Sequence, residues 1–114
     1  MSPDPVRVWA VIATFRRPGR LAALLASLGR QRPALAGAIV VENAGDAETA
    51  QVLEQSPLPV LRLRPEHNLG CGGGVALALR TGVDEGKATH FWQLDDDAEM
   101  SDESLGQMLA AMRA

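Results

Sequence analysis

The sequence predicts an α/β domain: a mostly parallel sheet of about four strands with helices on both faces. Three observations predict it. Short apolar, β-branched runs alternate along the chain with segments whose apolar residues recur at helical spacing. Each apolar run breaks into a polar segment. The length of 114 residues suits one modest domain, residues 1–114, with a real core.

Val6 to Ala13, VRVWAVIA, reads as a strand buried on both faces. TFRRPG breaks it, and Pro18 suits the first turn of a helix. Leu21, Leu24, Leu25 and Leu28 then fall at i, i+3, i+4 and i+7, the apolar stripe of that helix. Pro33 and Gly37 bracket the next loop. Ala38 to Val41 is the second strand and runs into ENAGD. A helix is expected from about Ala47 to Gln55, with Asp46 as its N-cap, ended by Pro57 and Pro59. Val60 to Arg64 is the third strand. PEHNLGCGGG reads as a glycine-rich turn before the short helix VALALRTGV. His90 to Leu94 is the fourth strand. Ser101 is expected to cap a last helix, with Asp102 and Glu103 favourably placed against its dipole and a stripe of Leu105, Met108, Leu109 and Met112. This alternation implies right-handed crossovers and a parallel sheet. The polar segments after all four strands then gather along one sheet edge, where such folds bind ligands.

Composition narrows the function classes. Apolar content of 46% and charged content of 22% are ordinary for a globular domain. A formal charge of −3 gives no general attraction to nucleic acid or to an anionic membrane. The single cysteine, Cys71, has no intramolecular disulfide partner, which fits a reducing cytoplasm. The opening MSPDPVR has neither the basic nor the apolar region of a signal peptide, and no apolar run is long enough to span a membrane.

The chemistry concentrates at the four strand ends. Asp95, Asp96 and Asp97 follow the fourth strand directly. If the strand persists through them, Asp95 and Asp97 share a face, with Cα atoms roughly 6–7 Å apart. Two charges at that separation repel by about 0.6 kcal/mol in water but about 2.5 kcal/mol at an effective dielectric of 20. Solvated aspartates therefore cost little, whereas at the mouth of a cleft a hard divalent cation with oxygen ligands relieves the repulsion. The convergence of the other loops favours the cation.

The glycines Gly70, Gly72, Gly73 and Gly74 fit neither the dinucleotide pattern, since Val75 stands where the last glycine belongs, nor a P-loop, since no Gly-Lys-Ser/Thr is present. Two readings stay open: close packing of a helix on the sheet, or bare backbone that lets a ligand approach a helix N-terminus. Arg16 and Arg17, after the first strand, either face solvent or pair with phosphate oxygens. Glu42 and Asn43 bind a base or ribose edge, or make a turn. His67 and His90 are too isolated to argue as metal ligands, and Cys71 has no neighbouring base to make it a nucleophile.

Together VWAVIATFRRP, IVVENAG, HNLGCGGGVALAL and FWQLDDDAEM resemble the amino-terminal half of glycosyltransferase family 2, with its A-type fold, of which the predicted sheet is the Rossmann-like half. The Trp-x-x-Asp-Asp-Asp form with NLG and further glycines looks most like the rhamnosyl- and galactofuranosyltransferase branch, and the resemblance covers essentially the whole chain. It implies that Thr14 and Arg16 line a nucleotide site, with Arg17 on phosphate. Glu42 matches the acidic residue that reads the base, followed by Asn43; Asn68, Gly70, Gly72 and Gly73 lie along the nucleotide-sugar cleft. Asp95 and Asp97 match the Asp-x-Asp pair that holds Mn²⁺ or Mg²⁺ on the sugar-nucleotide diphosphate, and Asp96 reaches the ribose or the sugar. Gly45 and Asp46 stand where the family commonly has serine, a departure in the base site.

The resemblance further implies a UDP- or dTDP-linked sugar donor and a glycan or lipid-linked glycan acceptor in the making of cell-envelope polysaccharide. It implies a cytoplasmic location, at the inner face of the membrane in a longer protein. In the family the catalytic base and most acceptor contacts lie carboxyl-terminal to the Asp-x-Asp motif, and here 17 residues follow Asp97. No catalytic base is therefore expected among these residues; it is expected beyond Ala114, and the chain reads as a donor-binding half that does not turn over alone. Helices lacking a partner half would expose apolar surface and favour a homodimer. Two rival folds with acidic or nucleotide sites fit the motifs less well. A nucleotidyltransferase usually displays a basic glycine-rich loop after the first strand, which ATFRRPG lacks. A non-catalytic, receiver-like module carries acidic residues near the first strand and a lysine near its end; neither is present.

Overall fold

Strand β1 (Val8–Thr14) lies at the centre of the sheet because nearly every residue in it is apolar and buried on one face or the other. In the computed structural model, which describes residues 5–113, it is flanked by β2 (Gly37–Glu42) and β4 (His90–Asp95), and β3 (Val60–Leu63) lies beyond β2. All three pairings are parallel, giving the order β3-β2-β1-β4. Part of MSPDPVR and the terminal Ala114 lie outside the described residues. Thus the expected four-stranded parallel sheet is present, with β1 starting two residues later than anticipated and taking in Thr14.

Period-two alternation divides the core. Val8, Ala10 and Ile12 point to the face covered by α1 (Pro18–Gly29), α2 (Ala47–Glu54) and α4 (Ser104–Arg113), where Leu21, Leu24, Leu25, Leu28, Leu53, Leu105 and Leu109 are buried. Val11, with Trp9 and Ala13, points to the other face, covered by α3 (Gly70–Glu85) through Val75 and Ala78. The four α1 leucines are each at most 1% exposed; burial on that scale stabilises by about 1.5–3 kcal/mol per side chain. Pro18 opens α1 as expected. Asp46 caps α2, its carboxylate accepting from the Thr49 N–H at 2.7 Å. That backbone hydrogen bond holds the Asp46 carboxyl below the usual carboxylate range.

Two helix starts differ from expectation. α3 begins at Gly70, inside the glycine run, so the predicted turn is the helix's own first turns. Its start is tied down from outside: the Leu69 N–H donates to Asn43 Oδ1 at 3.0 Å and the Gly70 N–H to Asn68 Oδ1 at 2.8 Å. α4 starts at Ser104, not after Ser101. The Ser101 hydroxyl bonds the Ser104 hydroxyl at 2.9 Å instead of a backbone N–H. Asp102 and Glu103 turn towards α1 and its exit loop, where Asp102 pairs with Arg30 at 3.2 Å and Glu103 with Arg32 at 2.9 Å. Among the described residues no helix is long and apolar enough to cross a membrane.

Candidate functional site

Four parallel strands end on one edge, at Thr14, Glu42, Leu63 and Asp95. A cleft of about 360 Å³ opens there between the ends of β1 and β4 and the start of α3. It is lined by Thr14, Phe15 and Arg17 from β1 and its exit, by Asn43, by Asn68, Gly70 and Cys71, and by Asp95, Asp96 and Asp97. Eight of the twelve residues singled out from sequence therefore converge on one space: Thr14, Arg17, Asn43, Asn68, Gly70 and the three aspartates.

The aspartates are not equivalent. β4 stops at Asp95, and the next residues form a turn closed by the Ala98 N–H on the Asp95 carbonyl at 3.1 Å. The condition of a strand continuing to Asp97 is therefore not met, although Asp95 and Asp97 are both exposed and Asp96 is buried. Register explains the burial: Ala13 lies opposite Asp95, so Thr14 lies beside Asp96. The Thr14 hydroxyl donates to Asp96 Oδ2 at 3.0 Å, and Arg17 Nη1 pairs with Asp96 Oδ1 at 3.3 Å. Asp96 thus fixes the β1 exit to the β4 exit, leaving Asp95 and Asp97 to face the cleft.

The paired arginines divide in the same way. Arg17 lines the cleft. Arg16 adopts a φ of 52°, a left-handed backbone uncommon outside glycine, and lies over the Phe15 ring at 5.3 Å. It borders a separate hollow with Asp46 and Glu48.

Glu42 is placed differently from a residue that reads a base. Its side chain is 0% exposed, and both carboxylate oxygens accept from Arg62, Oε2 from Nε at 3.0 Å and Oε1 from Nη2 at 3.1 Å. Those hydrogen bonds raise the Arg62 pKa above its ordinary value. Arg64 Nε stands 3.7 Å from the same carboxylate. Asn43, 3% exposed, does two jobs: besides holding Leu69 N–H it donates through Nδ2 to the Gly70 carbonyl at 3.2 Å, and it lines the cleft.

The two readings of the glycines separate by position. A Cβ on Gly74 would stand 2.8 Å from that of Ala13, so this glycine lets α3 pack on the sheet. Gly70 and Gly72 would meet nothing within 4 Å, and Gly70 has a φ of 70°. Gly73 would meet only the Leu69 Cβ, at 3.0 Å.

The donor set suits a hard cation in part. Among the described residues no three His, Cys, Asp or Glu side chains converge as a complete metal cage. Asp95 and Asp97 offer two exposed carboxylates on the cleft, and Mg²⁺-type ions are typically held by one or two carboxylates with substrate phosphates and water supplying the rest. The arrangement fits a metal brought together with a phosphate-bearing ligand.

Residues that sequence reasoning missed do the positioning. Arg62 saturates Glu42. Gln31, 4% exposed, donates to the Ser101 carbonyl at 2.6 Å and accepts from the Leu105 N–H at 2.9 Å, bracing the segment between the aspartates and α4 against α1. Arg62 was detectable, since its period-two spacing puts it on the Glu42 face; Gln31 gave no signal.

Comparison with known proteins identifies the family and the fold. A family model described as glycosyl transferase family 2 matches residues 9–114. Galactofuranosyltransferase GlfT1 of Mycobacterium tuberculosis (strain H37Rv) is 35% identical over 97 residues, covering 83% of this chain and 32% of the relative. GlfT1 of Mycolicibacterium smegmatis is 34% identical over 95 residues, covering 83% and 31%. The chain spans about a third of the length of the curated relatives it matches. Among solved structures, S. aureus TarS 1-349 in complex with UDP matches with a TM-score of 0.79 at 22% identity, over 95% of this chain and 32% of that one. S. aureus TarS matches with a TM-score of 0.77 at 20% identity, over 95% and 20%. These likenesses carry the fold, the sheet and helices of the glycosyltransferase A-type arrangement.

Proposed function

The chain belongs to glycosyl transferase family 2, and from that premise we propose that it binds a nucleotide-diphosphate sugar, with a divalent cation, for glycosyl transfer to a hydroxyl acceptor. The observation that carries this is the cleft at the carboxyl ends of β1 and β4, with two exposed carboxylates and one arginine around a buried aspartate. Asp95 and Asp97 would hold Mn²⁺ or Mg²⁺. Such an ion, when bound, supplies Lewis-acid stabilisation of the charge that develops on a nucleoside diphosphate as it leaves.

The chain's own residues do the rest of the binding. Arg17 spends one Nη on Asp96 and has further donors for a phosphate oxygen. Asp96, already bonded by Thr14 and Arg17, orients them and reaches a ribose or sugar only through what those bonds leave free. The backbone at Gly70 and Gly72, with open space where side chains would stand, lets a nucleotide lie against the start of α3, beside Asn68. Gly73 is tighter and contributes backbone alone. Arg16 belongs to this set only if its loop swings towards the cleft on binding.

The acceptor base is proposed to come from residues outside these 114, in keeping with the third of the relatives' length that the chain spans. The acceptor class is a glycan or lipid-linked glycan, and the whole enzyme would work on it at the cytoplasmic face of a membrane. The names of the relatives rank a galactofuranosyl donor first for testing, and the UDP in the TarS complex ranks UDP first among nucleotides.

Titration calorimetry with UDP in the presence and absence of Mn²⁺ tests the reading. The expected result is metal-dependent binding that Asp97→Ala abolishes and Asp102→Ala leaves intact, since Asp102 bonds Arg30 on the far side of the loop. Metal binding with no effect of nucleotide would refute it in favour of a non-catalytic module.

A further inference from the structure

We infer that Thr14 is a positioning residue for the cation-binding aspartates: it sets the Mn²⁺ affinity of the site by holding Asp96, and does not act on the ligand itself. The inference rests on the donor-binding reading above. Thr14 is 2% exposed, and the single proton of its hydroxyl is spent on Asp96 Oδ2 at 3.0 Å. It therefore has no donor to offer a ligand, although it borders the cleft. Its own position is fixed from two sides. β1 pairs with both β2 and β4, and the Thr14 carbonyl accepts from the Asn43 N–H at 2.9 Å. The hydroxyl that reaches Asp96 thus stands on a strand with neighbours on both edges.

Asp96 has a second partner, but it is the weaker one. Arg17 stands 3.3 Å away with 56% of its side chain exposed, so solvent screens the pair. A bound diphosphate would also compete for its guanidinium. The Thr14 hydroxyl is a buried donor to a carboxylate, a charge-assisted bond that water does not contest. Thr14 is therefore the tie that persists with or without a ligand. The consequence falls on the neighbours of Asp96. β4 ends at Asp95, and the turn behind it closes through the Ala98 N–H on the Asp95 carbonyl at 3.1 Å. The peptides that carry Asp95 and Asp97 join at Asp96, so its anchored side chain fixes where those exposed carboxylates are presented. Without the hydroxyl, a buried carboxylate short of one bond turns towards water, and the pair no longer faces the cleft together.

The test is calorimetry of UDP at a series of Mn²⁺ concentrations, on the wild-type chain, Thr14→Val and Thr14→Ser. Valine keeps the branched shape without the hydroxyl; serine keeps the hydroxyl. Thr14→Val should need about tenfold more Mn²⁺ for half-maximal UDP binding, the equivalent of one charge-assisted hydrogen bond. At saturating Mn²⁺ its UDP affinity should return to within about threefold of wild type. Thr14→Ser should match wild type in both measurements. Should Thr14→Val not fold, Thr14→Cys, with a weaker donor in the same place, carries the test and should raise the Mn²⁺ requirement by about threefold. An unchanged Mn²⁺ requirement in the folded variant overturns the positioning role. A loss of UDP affinity that excess Mn²⁺ does not restore also overturns it, because Thr14 would then touch the nucleotide or support the fold as a whole. A wild type whose UDP binding ignores Mn²⁺ takes down the metal part of the donor reading and this inference with it.

Discussion

Glu42 sits at the end of a strand buried along its whole length, where an ionised carboxylate is costly to desolvate unless its oxygens are bonded. Arg62 supplies both bonds. Removing it by Arg62→Met should cost about 3 kcal/mol in urea denaturation, because the buried carboxylate loses both of its hydrogen bonds and keeps only the exposed Arg64 at 3.7 Å. The double variant Glu42→Gln with Arg62→Met should recover more than half of that loss. A single variant within about 0.5 kcal/mol of wild type would show the pair to be incidental. The partnership was readable: β3 is V-L-R-L, period two sets Arg62 and Arg64 on one face, and Arg62 lies opposite Val40, two residues before Glu42 on the same face. The burial of Asp96 was not readable, because it depends on the Ala13–Asp95 register that places Thr14 beside it, and nothing local in DDDAE specifies register.

α3 shows where an element's own composition misleads. Each glycine in a helix interior costs roughly 1 kcal/mol relative to alanine, so four within five residues read as a turn. The helix forms there regardless, because Asn43 and Asn68 hold its first amides and Gly74 brings it against Ala13 and Val41. Gly82 repeats the close approach two turns on, where a Cβ would stand 2.5 Å from the Phe91 ring. Opposite effects follow along one helix. Gly74→Ala should destabilise by about 1–3 kcal/mol, since the new methyl meets packed atoms. Gly72→Ala, with open space around it, should stabilise by about 0.5–1 kcal/mol through helix propensity. Thermal unfolding of the two variants checks this, and equal shifts would mean that the helix does not rest on the sheet as described. The same pair measures how far the cleft depends on bare backbone, since Gly72→Ala adds a methyl beside the proposed nucleotide path.

For the whole molecule, the alternation of strands and helices and the gathering of polar strand ends on one edge were legible from hydrophobic period alone. The parallel sheet follows from that order because each crossover helix returns the chain to the same end. What joins the far side of the molecule to the site was not legible. α4 buries only Leu105 and Leu109, while Met108 is 38% and Met112 64% exposed. With half its predicted stripe uncovered, α4 depends on polar ties to α1 and its exit: Gln31 to Ser101 and Leu105, and Ser27 Oγ to the Met100 N–H at 3.2 Å. A glutamine between Arg30 and Arg32 reads as a solvated loop residue, so its role emerges only when the exit of α1 and the loop after the aspartates come together. Gln31→Leu leaves the buried Leu105 N–H without its partner, at a cost of about 1–3 kcal/mol. The loss should be local. Native-state hydrogen exchange should show α4 amides opening at a lower free energy than in wild type, whereas amides of β1 and β2 fall only by the change in global stability. Equal losses in α4 and β1 would mean that the brace is part of the global core. A selective loss in α4 means that the segment leading from Asp97 depends on the buried Gln31, just past the end of α1.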